Sequence, residues 1–133
     1  MKYIVLFLFA LPFVAKAAER IECPYTLEVE EVGKQPTGWT VFRNPVPHTL
    51  DRIGFYSGNP NDGASLIPRN SNKSRDDWRF VPAKNEATWL ACFYNNTNTF
   101  LAKQLDSRIN KCSVRYTSTG GGSHAAVSSI SCE

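Results

Sequence analysis

Four cysteines constrain the fold of this chain more than any other feature of its sequence. They are Cys23, Cys92, Cys112 and Cys132, and all four follow an N-terminal segment that is typical of export. An even number of cysteines in a small exported domain predicts two disulfides. A zinc site is not favoured, because the chain has no Cys-x-x-Cys and its two histidines are far apart in sequence. We therefore expect a domain tied by two cross-links, with no metal and no cofactor.

The N-terminal segment has the composition of a signal peptide. A basic start precedes an apolar run, and Ala15-Lys16-Ala17 has the small-x-small form of a cleavage site. The run is shorter than the roughly 20 apolar residues that cross a bilayer. The sequence thus predicts that residues 1–17 are a signal peptide and that residues 18–133 form a single domain in the periplasm, with no membrane attachment after cleavage.

The charge of the predicted mature domain is close to balanced. The whole chain has 15 basic and 12 acidic residues, and two of the basic ones, Lys2 and Lys16, lie in the signal segment. Proteins that bind nucleic acid or anionic membranes generally carry a surplus of positive charge on one surface. The sequence therefore predicts neither kind of partner.

The hydrophobic pattern predicts an all-β protein. Short extended segments alternate with turn-forming residues, and no stretch keeps the 3.6-residue period of an amphipathic helix. Predicted strands cover residues 26–32, 39–42, 50–56, 78–81, 88–94, 99–105, 111–117 and 127–132. We expect a single small antiparallel sheet or sandwich, with Trp39, Trp78 and Trp89 packed in its core.

The spacing of the last two strands predicts one disulfide. If their turn centres on Gly122, then Cys112 and Cys132 lie directly opposite each other, within bonding range. In a simple sheet, the hairpin of residues 88–105 would separate Cys92 from Cys112, which leaves Cys23 to pair with Cys92. The rival pairing joins Cys92 to Cys112 and Cys23 to Cys132. It stays open if residues 106–110 carry the chain between two sheets.

No set of residues forms a convincing catalytic group. His48 and His124 are the imidazoles available for a triad, and neither lies near a nucleophile elbow. Ser123 and His124 follow a glycine triplet that reads as a hairpin loop without the lysine of a phosphate-binding loop. Asp76 and Asp77 are adjacent, so on an extended chain they point to opposite sides and cannot flank one glycosidic bond. A solvated turn is the preferred interpretation of the pair, and the sequence favours a protein that is not an enzyme.

Two polar segments, residues 57–63 and 68–77, are long for simple connections. Long polar loops often carry binding residues, and the second precedes Trp78, which could anchor an interface if it were not in the core. The candidate partner-contact residues are Asn59, Asn61, Asp62, Arg69, Lys73, Arg75, Asp76 and Asp77.

Several motifs resemble those of a family of small exported four-cysteine proteins of Gram-negative bacteria that is associated with type VI secretion. The motifs are Ile21-x-Cys23-Pro24, Gly54-Phe55-Tyr56-Ser57-Gly58, Ala64-Ser65-Leu66-Ile67-Pro68, Trp89-Leu90-x-Cys92-x-Tyr94, Cys112-x-Val114-x-Tyr116 and Ile130-x-Cys132. The resemblance implies a periplasmic immunity protein that binds and occludes an incoming toxin enzyme that attacks the cell wall. Its partner would thus be a protein.

Two other functions are compatible with this pattern. A periplasmic lysozyme inhibitor would also be small, β-rich and disulfide-bonded, but the chain lacks the serine-glycine-x-x-tyrosine loop expected there. A small cell-wall hydrolase or glycan-binding domain would need an exposed aromatic platform, for which Tyr25, Tyr56 and Trp78 are the candidates.

Overall fold

The computed structural model describes residues 17–30, 33–42, 46–81, 85–118 and 125–133. These residues form ten β-strands and one short 3₁₀ helix, Pro60–Asp62, with no α-helix among them. The strands are β1 (Glu19–Ile21), β2 (Thr26–Leu27), β3 (His48–Ser57), β4 (Ser65–Leu66), β5 (Asn70–Asn72), β6 (Arg75–Arg79), β7 (Thr88–Tyr94), β8 (Phe100–Gln104), β9 (Lys111–Ser118) and β10 (Ala125–Cys132). The predicted all-β class is confirmed.

The strands form two antiparallel sheets that pack face to face. In the first sheet the order is β1-β10-β9-β6-β5, and in the second it is β2-β3-β7-β8, with β4 paired to β3. Phe55 of β3 joins the sheets, since its ring centroid lies 4.8 Å from that of Trp78 in β6. The architecture is therefore a sandwich with a single core between its layers.

The core follows the alternation of each strand. In β9, Cys112 and Val114 are fully buried, whereas Lys111 and Arg115 are exposed on the other side of the sheet. Trp78 is buried as predicted, and its indole nitrogen donates a 3.0 Å hydrogen bond to the carbonyl of Leu66.

The prediction that Trp39 and Trp89 pack in the core was wrong. Trp39 is 72% exposed, and Trp89 is only half-buried. Trp39 lies in the irregular connection from β2 to β3, where its amide bonds to the carbonyl of Pro36, so no strand brings it to the core. Trp89 is on β7, but its neighbour Leu90 takes the position that faces inward.

Both predicted disulfides are present. Cys112 and Cys132 are register partners on β9 and β10 with Cα atoms 4.1 Å apart, as the hairpin arithmetic predicted. Cys23 is bonded to Cys92 across 69 residues. The pairing was predicted correctly, but the expected simple sheet was wrong, since β9 does not extend the sheet beyond β8 and belongs to the opposite sheet.

The Cys23–Cys92 disulfide holds the chain where it crosses between the sheets. Cys23 lies after β1 of the first sheet and before β2 of the second, and Cys92 is on β7 of the second. Beside it, the hydroxyl of Tyr94 donates a 2.9 Å hydrogen bond to the carbonyl of Pro24. The N-terminal strand is therefore fixed to the centre of the sandwich by a covalent bond and a hydrogen bond.

Three predicted segments differ from the structure. Of residues 26–32, only Thr26–Leu27 is a strand, and positions 31 and 32 lie outside the described residues. Residues 39–42 have no strand partner. Residues 68–77 are mostly a tight hairpin of β5 and β6, in which the side-chain oxygen of Asn72 accepts a 2.9 Å hydrogen bond from the Ser74 amide. The part of the chain that the structure describes contains no helix long and apolar enough to cross a bilayer.

Candidate functional site

The outward side of the first sheet is strongly polar. Alternation along β6 and β9 directs one set of side chains to the core and leaves the other set in solvent. The outward set on β1, β6, β9 and β10, together with the last residue, is Arg20, Arg75, Asp77, Arg79, Lys111, Ser113, Arg115, Ser131 and Glu133. We call this set the basic face.

Arg75 is held at the centre of the basic face. Its Nε donates to the Oδ1 atom of Asp77 at 2.7 Å, and its Nη2 donates to the Oγ of Ser113 at 2.9 Å. The Ser113 hydroxyl in turn donates to the same Asp77 oxygen at 2.5 Å. The hydrogen bond from Ser113, followed by the hydrogen bond and charge of Arg75 and by the charge of Lys111, lowers the pKa of the Asp77 carboxyl against the opposing effect of burial. The three side chains form a closed, charge-assisted network.

The register of β6 on β9 places like charges opposite each other. Arg75 pairs with Arg115, and Arg79 pairs with Lys111. Lys111 also forms an ion pair with Glu133. Neither Arg79 nor Arg115 forms an ion pair with another described residue. Like charges in direct cross-strand positions are destabilising. The positive charges of this face therefore do not contribute to the stability of the fold through these pairs.

Two shallow clefts lie on this face, and Arg75 and Lys111 line both. One extends toward the β5 edge and is also lined by Arg69 and Arg79. The other extends across β9, where Arg115 lines it, to Ser131 on β10, and is also lined by Ala18 and Glu133. The clefts are open to solvent and suit side chains of a partner surface better than an enclosed small molecule.

The structure brings together only some of the predicted contact residues. Arg69, Arg75 and Asp77 lie on or beside the basic face, and Lys73 is exposed at the turn of the β5–β6 hairpin. Asp76 points to the opposite side of β6, where it accepts hydrogen bonds from the hydroxyls of Tyr116 (2.7 Å) and Ser71 (2.5 Å).

The aspartate pair therefore diverges, as its adjacency predicted, but it lies in a strand and not in a solvated turn. Burial, followed by the hydrogen bond to Asp76 and the charge of Asp76, raises the pKa of the Tyr116 hydroxyl. Both carboxylates have hydrogen-bond partners within the domain. Each is thus placed to hold its neighbours in position.

The remaining predicted residues, Asn59, Asn61 and Asp62, lie on the connection from β3 to β4. All three are exposed. Asn59 caps the 3₁₀ helix, since its side-chain oxygen accepts a 3.0 Å hydrogen bond from the amide of Asn61. They belong to a segment of the second sheet and form no hydrogen bond or ion pair with the basic face among the described residues.

Sequence reasoning missed Arg79, Lys111 and Arg115. The alternation of residues 111–117 already placed Lys111 and Arg115 together on one side of a strand. What it lacked was the pairing of β6 with β9, which are separated by two strands of the other sheet. Only that pairing shows that the three cations and Arg75 form one surface.

His48 has a structural role. Its Nδ1 donates a 2.8 Å hydrogen bond to the carbonyl of Asn95, and the side chain is buried. The Asn95 side chain bonds to Thr49 on the same strand. Ser123, His124 and the glycine triplet lie outside the described residues. Within the ranges described, no three histidine, cysteine or acidic side chains are grouped to hold a metal ion.

Replacing Asp77 by asparagine is expected to destabilise the fold by about 1 kcal/mol near neutral pH, because the charge-assisted bonds to Arg75 and Ser113 are weakened. The folded-state pKa of Asp77 lies below its ordinary value of 3.8, so ionised Asp77 favours the fold above that value. Its contribution decreases as the pH falls from 3.8 through the lower folded pKa. Urea unfolding of both proteins between pH 2 and 7 measures this, and a stability difference that is unchanged at acid pH would contradict the role of the charge.

Residues 43–133 match the family described as Type VI secretion system Tli immunity protein, and the chain belongs to this family. The match includes β3 to β10, and so both strands that carry the like-charged pairs. The resemblance found in the sequence motifs is confirmed.

The chain was also compared with curated proteins and with solved structures. A protein of Azospirillum brasilense, described as "Uncharacterized 16.3 kDa protein in trpG 5'region", is 23% identical over 107 residues, which cover 73% of this chain and 71% of the relative. No solved structure matches the chain. The functional inference therefore depends on the family and on the described surface.

Proposed function

We propose that this chain is a periplasmic immunity protein that binds a type VI secretion toxin and occludes its active site. The observation that carries the proposal is the family match, which covers the β-sandwich from β3 onward. Two disulfides are consistent with a location outside the cytoplasm, since such bonds form and persist in oxidising compartments. In this proposal residues 1–17 direct export and are removed, and residues 18–133 are the mature domain.

Occlusion requires a surface that keeps its shape when it binds. Both sheets are cross-linked, one within itself and the other to the N-terminal segment, so few backbone segments would have to become ordered at the interface. The β5–β6 hairpin is held to this frame because β6 pairs with β9, where Trp78 lies opposite Cys112, and the β3–β4 connection extends from the second sheet. We propose that they contribute the predicted contact residues, with Asp76 and Asp77 holding the hairpin in position.

Protection by binding needs no chemistry from the protein itself. His48 donates to a backbone carbonyl and Asp76 and Asp77 face opposite sides, so these groups do not converge on a common substrate position. The burial of Trp78 removes one of the three aromatic residues considered for a glycan platform. These observations support an inhibitor in preference to a hydrolase or a glycan-binding domain.

The toxin is expected to act on the cell envelope, and the cell wall is the target we propose. A toxin of that class is neutralised where its substrate lies, which agrees with an immunity protein that forms disulfides. An immunity protein is expected to have its toxin gene directly beside its own gene. Assays of that toxin on isolated peptidoglycan and on phospholipid vesicles would separate attack on the wall from attack on the membrane. Inhibition of lysozyme by this protein, with no effect on the toxin, would favour the alternative inhibitor function.

Deleting the gene is expected to make cells sensitive to the toxin encoded beside it when siblings deliver that toxin through type VI secretion. Competition against a toxin-producing parent measures this sensitivity. The full-length gene should restore survival, and a version without residues 1–17 should not. A version with an unrelated export signal in place of residues 1–17 is the matched control and should protect. Equal survival of the deletion strain and the parent would contradict the immunity function.

A further inference from the structure

We infer that the basic face is the surface that recognises the toxin, and that it does so by binding an acidic patch on the toxin surface. The inference rests on the proposed immunity function and names the part of the molecule that performs it.

The charges on β6 and β9 are unfavourably arranged for the fold alone. Two like-charged pairs, Arg75 with Arg115 and Arg79 with Lys111, lie on the same two strands and the same face. Each pair opposes folding, since like charges directly across an antiparallel ladder repel each other. Asp77 lies between the pairs, and Glu133 neutralises part of the charge of Lys111. Departures from locally favourable design are concentrated at functional sites, because a partner can supply the missing charge.

The Arg75 side chain is preorganised. Its guanidinium is fixed by Asp77 and Ser113, while its side chain is still 36% exposed. Guanidinium groups have five N–H donors, of which these contacts use two, so others remain for an incoming carboxylate. A cation that is already oriented loses little side-chain entropy when it binds. Arg75 thus has the properties of an anchor for an acidic residue.

The outward side of the second sheet is of a different kind. There, Arg52 stacks on Phe93 at 4.1 Å, and Phe93 lies 5.1 Å from Phe100 and 6.3 Å from Tyr56. Arg52 is thus the cation of this aromatic group, and its guanidinium is engaged with the Phe93 ring. The like-charged cross-strand pairs of β6 and β9 thus lie on the first sheet, and the nearly balanced charge of the whole chain does not reveal them.

A protein surface fits the basic face better than nucleic acid or anionic lipid. Asp77, Glu133 and the serines Ser113 and Ser131 are interspersed with the cations, so the face presents acceptors as well as donors. A uniform polyanion would be repelled by those carboxylates, whereas a protein can match each sign in turn. The partner we infer is thus an acidic but mixed patch, with carboxylates that reach Arg75, Arg79 and Arg115.

The test uses the double variant Arg79→Glu/Arg115→Glu and the neighbour-encoded toxin purified as a catalytically inactive form. Charge reversal at both positions is expected to weaken binding about tenfold or more and to remove most of the salt dependence of the association rate. The variant should fold at least as well as the wild type, because each new glutamate faces a cation. Lys103→Glu, an exposed strand position on the second sheet, is the matched control and should bind like the wild type.

Surface plasmon resonance at several salt concentrations gives the rates. If the double variant binds as tightly as the Lys103→Glu control, the inference is overturned while the immunity function stands. If the wild type itself does not bind the toxin, the proposed function fails, and this inference fails with it. Vesicles containing phosphatidylglycerol and a duplex DNA are the remaining probes. Binding to either that depends on Arg79 and Arg115, with toxin binding unchanged, would assign the face to that ligand and overturn the inference.

Discussion

Replacing Cys23 and Cys92 together by alanine is expected to lower the free energy of unfolding by about 4 kcal/mol. The disulfide closes a loop of 69 residues, so its loss gives the unfolded chain a large gain in entropy. A domain of this size has a total stability of about 5 to 15 kcal/mol, so the variant should be partly unfolded or easily unfolded. Urea unfolding followed by circular dichroism measures the loss.

The control for this prediction uses a reducing agent. In excess reductant the wild type also lacks the Cys23–Cys92 bond, so the two proteins should unfold at similar urea concentrations. Under oxidising conditions their midpoints should be far apart. If the oxidised wild type and the double variant unfolded at the same midpoint, the disulfide would have no stabilising role in this fold.

Replacing Phe55 by alanine is expected to lower the free energy of unfolding by about 3 to 5 kcal/mol. The side chain is completely buried and contacts Trp78 and Phe80, whose ring centroids lie 4.8 and 5.2 Å away. Alanine would leave a cavity between the two sheets, and the rings around it cannot close it without moving the backbone. Thermal and urea unfolding of the oxidised protein measure the effect.

Two further variants are controls for the stability loss expected at Phe55. Phe55→Leu keeps most of the apolar volume and should lose clearly less stability than the alanine variant. Phe42→Ala removes a ring that is 91% exposed and should change stability by about 0.5 kcal/mol at most. A loss at Phe42 equal to the loss at Phe55 would place the core elsewhere in the molecule.

Local pairing was predictable from the sequence. The hairpin of β7 and β8 places Cys92 opposite Leu101, and that of β9 and β10 places Cys112 opposite Cys132. In both cases two β-rich segments are joined by a short connection, so the spacing alone determines which residues face each other. The second ladder also contains a register shift between Val127 and Ser129, which no spacing rule indicated.

Pairing over long sequence distances was not predictable. The chain passes from β6 in the first sheet to β7 and β8 in the second and then returns as β9 beside β6. The alternation of apolar residues reports which side of a strand is buried, but it does not name the neighbouring strand. The basic face could not be predicted for the same reason. Arg79, Lys111 and Arg115 form one surface only because β6 pairs with β9.

The contact residues predicted from the polar loops have different positions and roles in the structure. Arg69, Lys73 and Arg75 are on a hairpin that borders or forms the basic face, whereas Asn59 is used to cap a 3₁₀ helix. A polar residue in a loop can contact a partner, or it can stabilise the loop through hydrogen bonds to the backbone. Composition alone does not separate these two roles. Hydrogen-bond partners in the folded chain make that distinction.

The central claim is that this protein neutralises a toxin by binding it and not by destroying it. Titrating a fixed amount of the active neighbour-encoded toxin with the oxidised protein tests the claim most directly. We predict that toxin activity falls in proportion to the protein added, reaches zero at a fixed stoichiometric ratio, and returns when the complex is dissociated and the toxin refolded. Complete and permanent loss of activity at a small fraction of one equivalent, or no loss at any ratio, would contradict it.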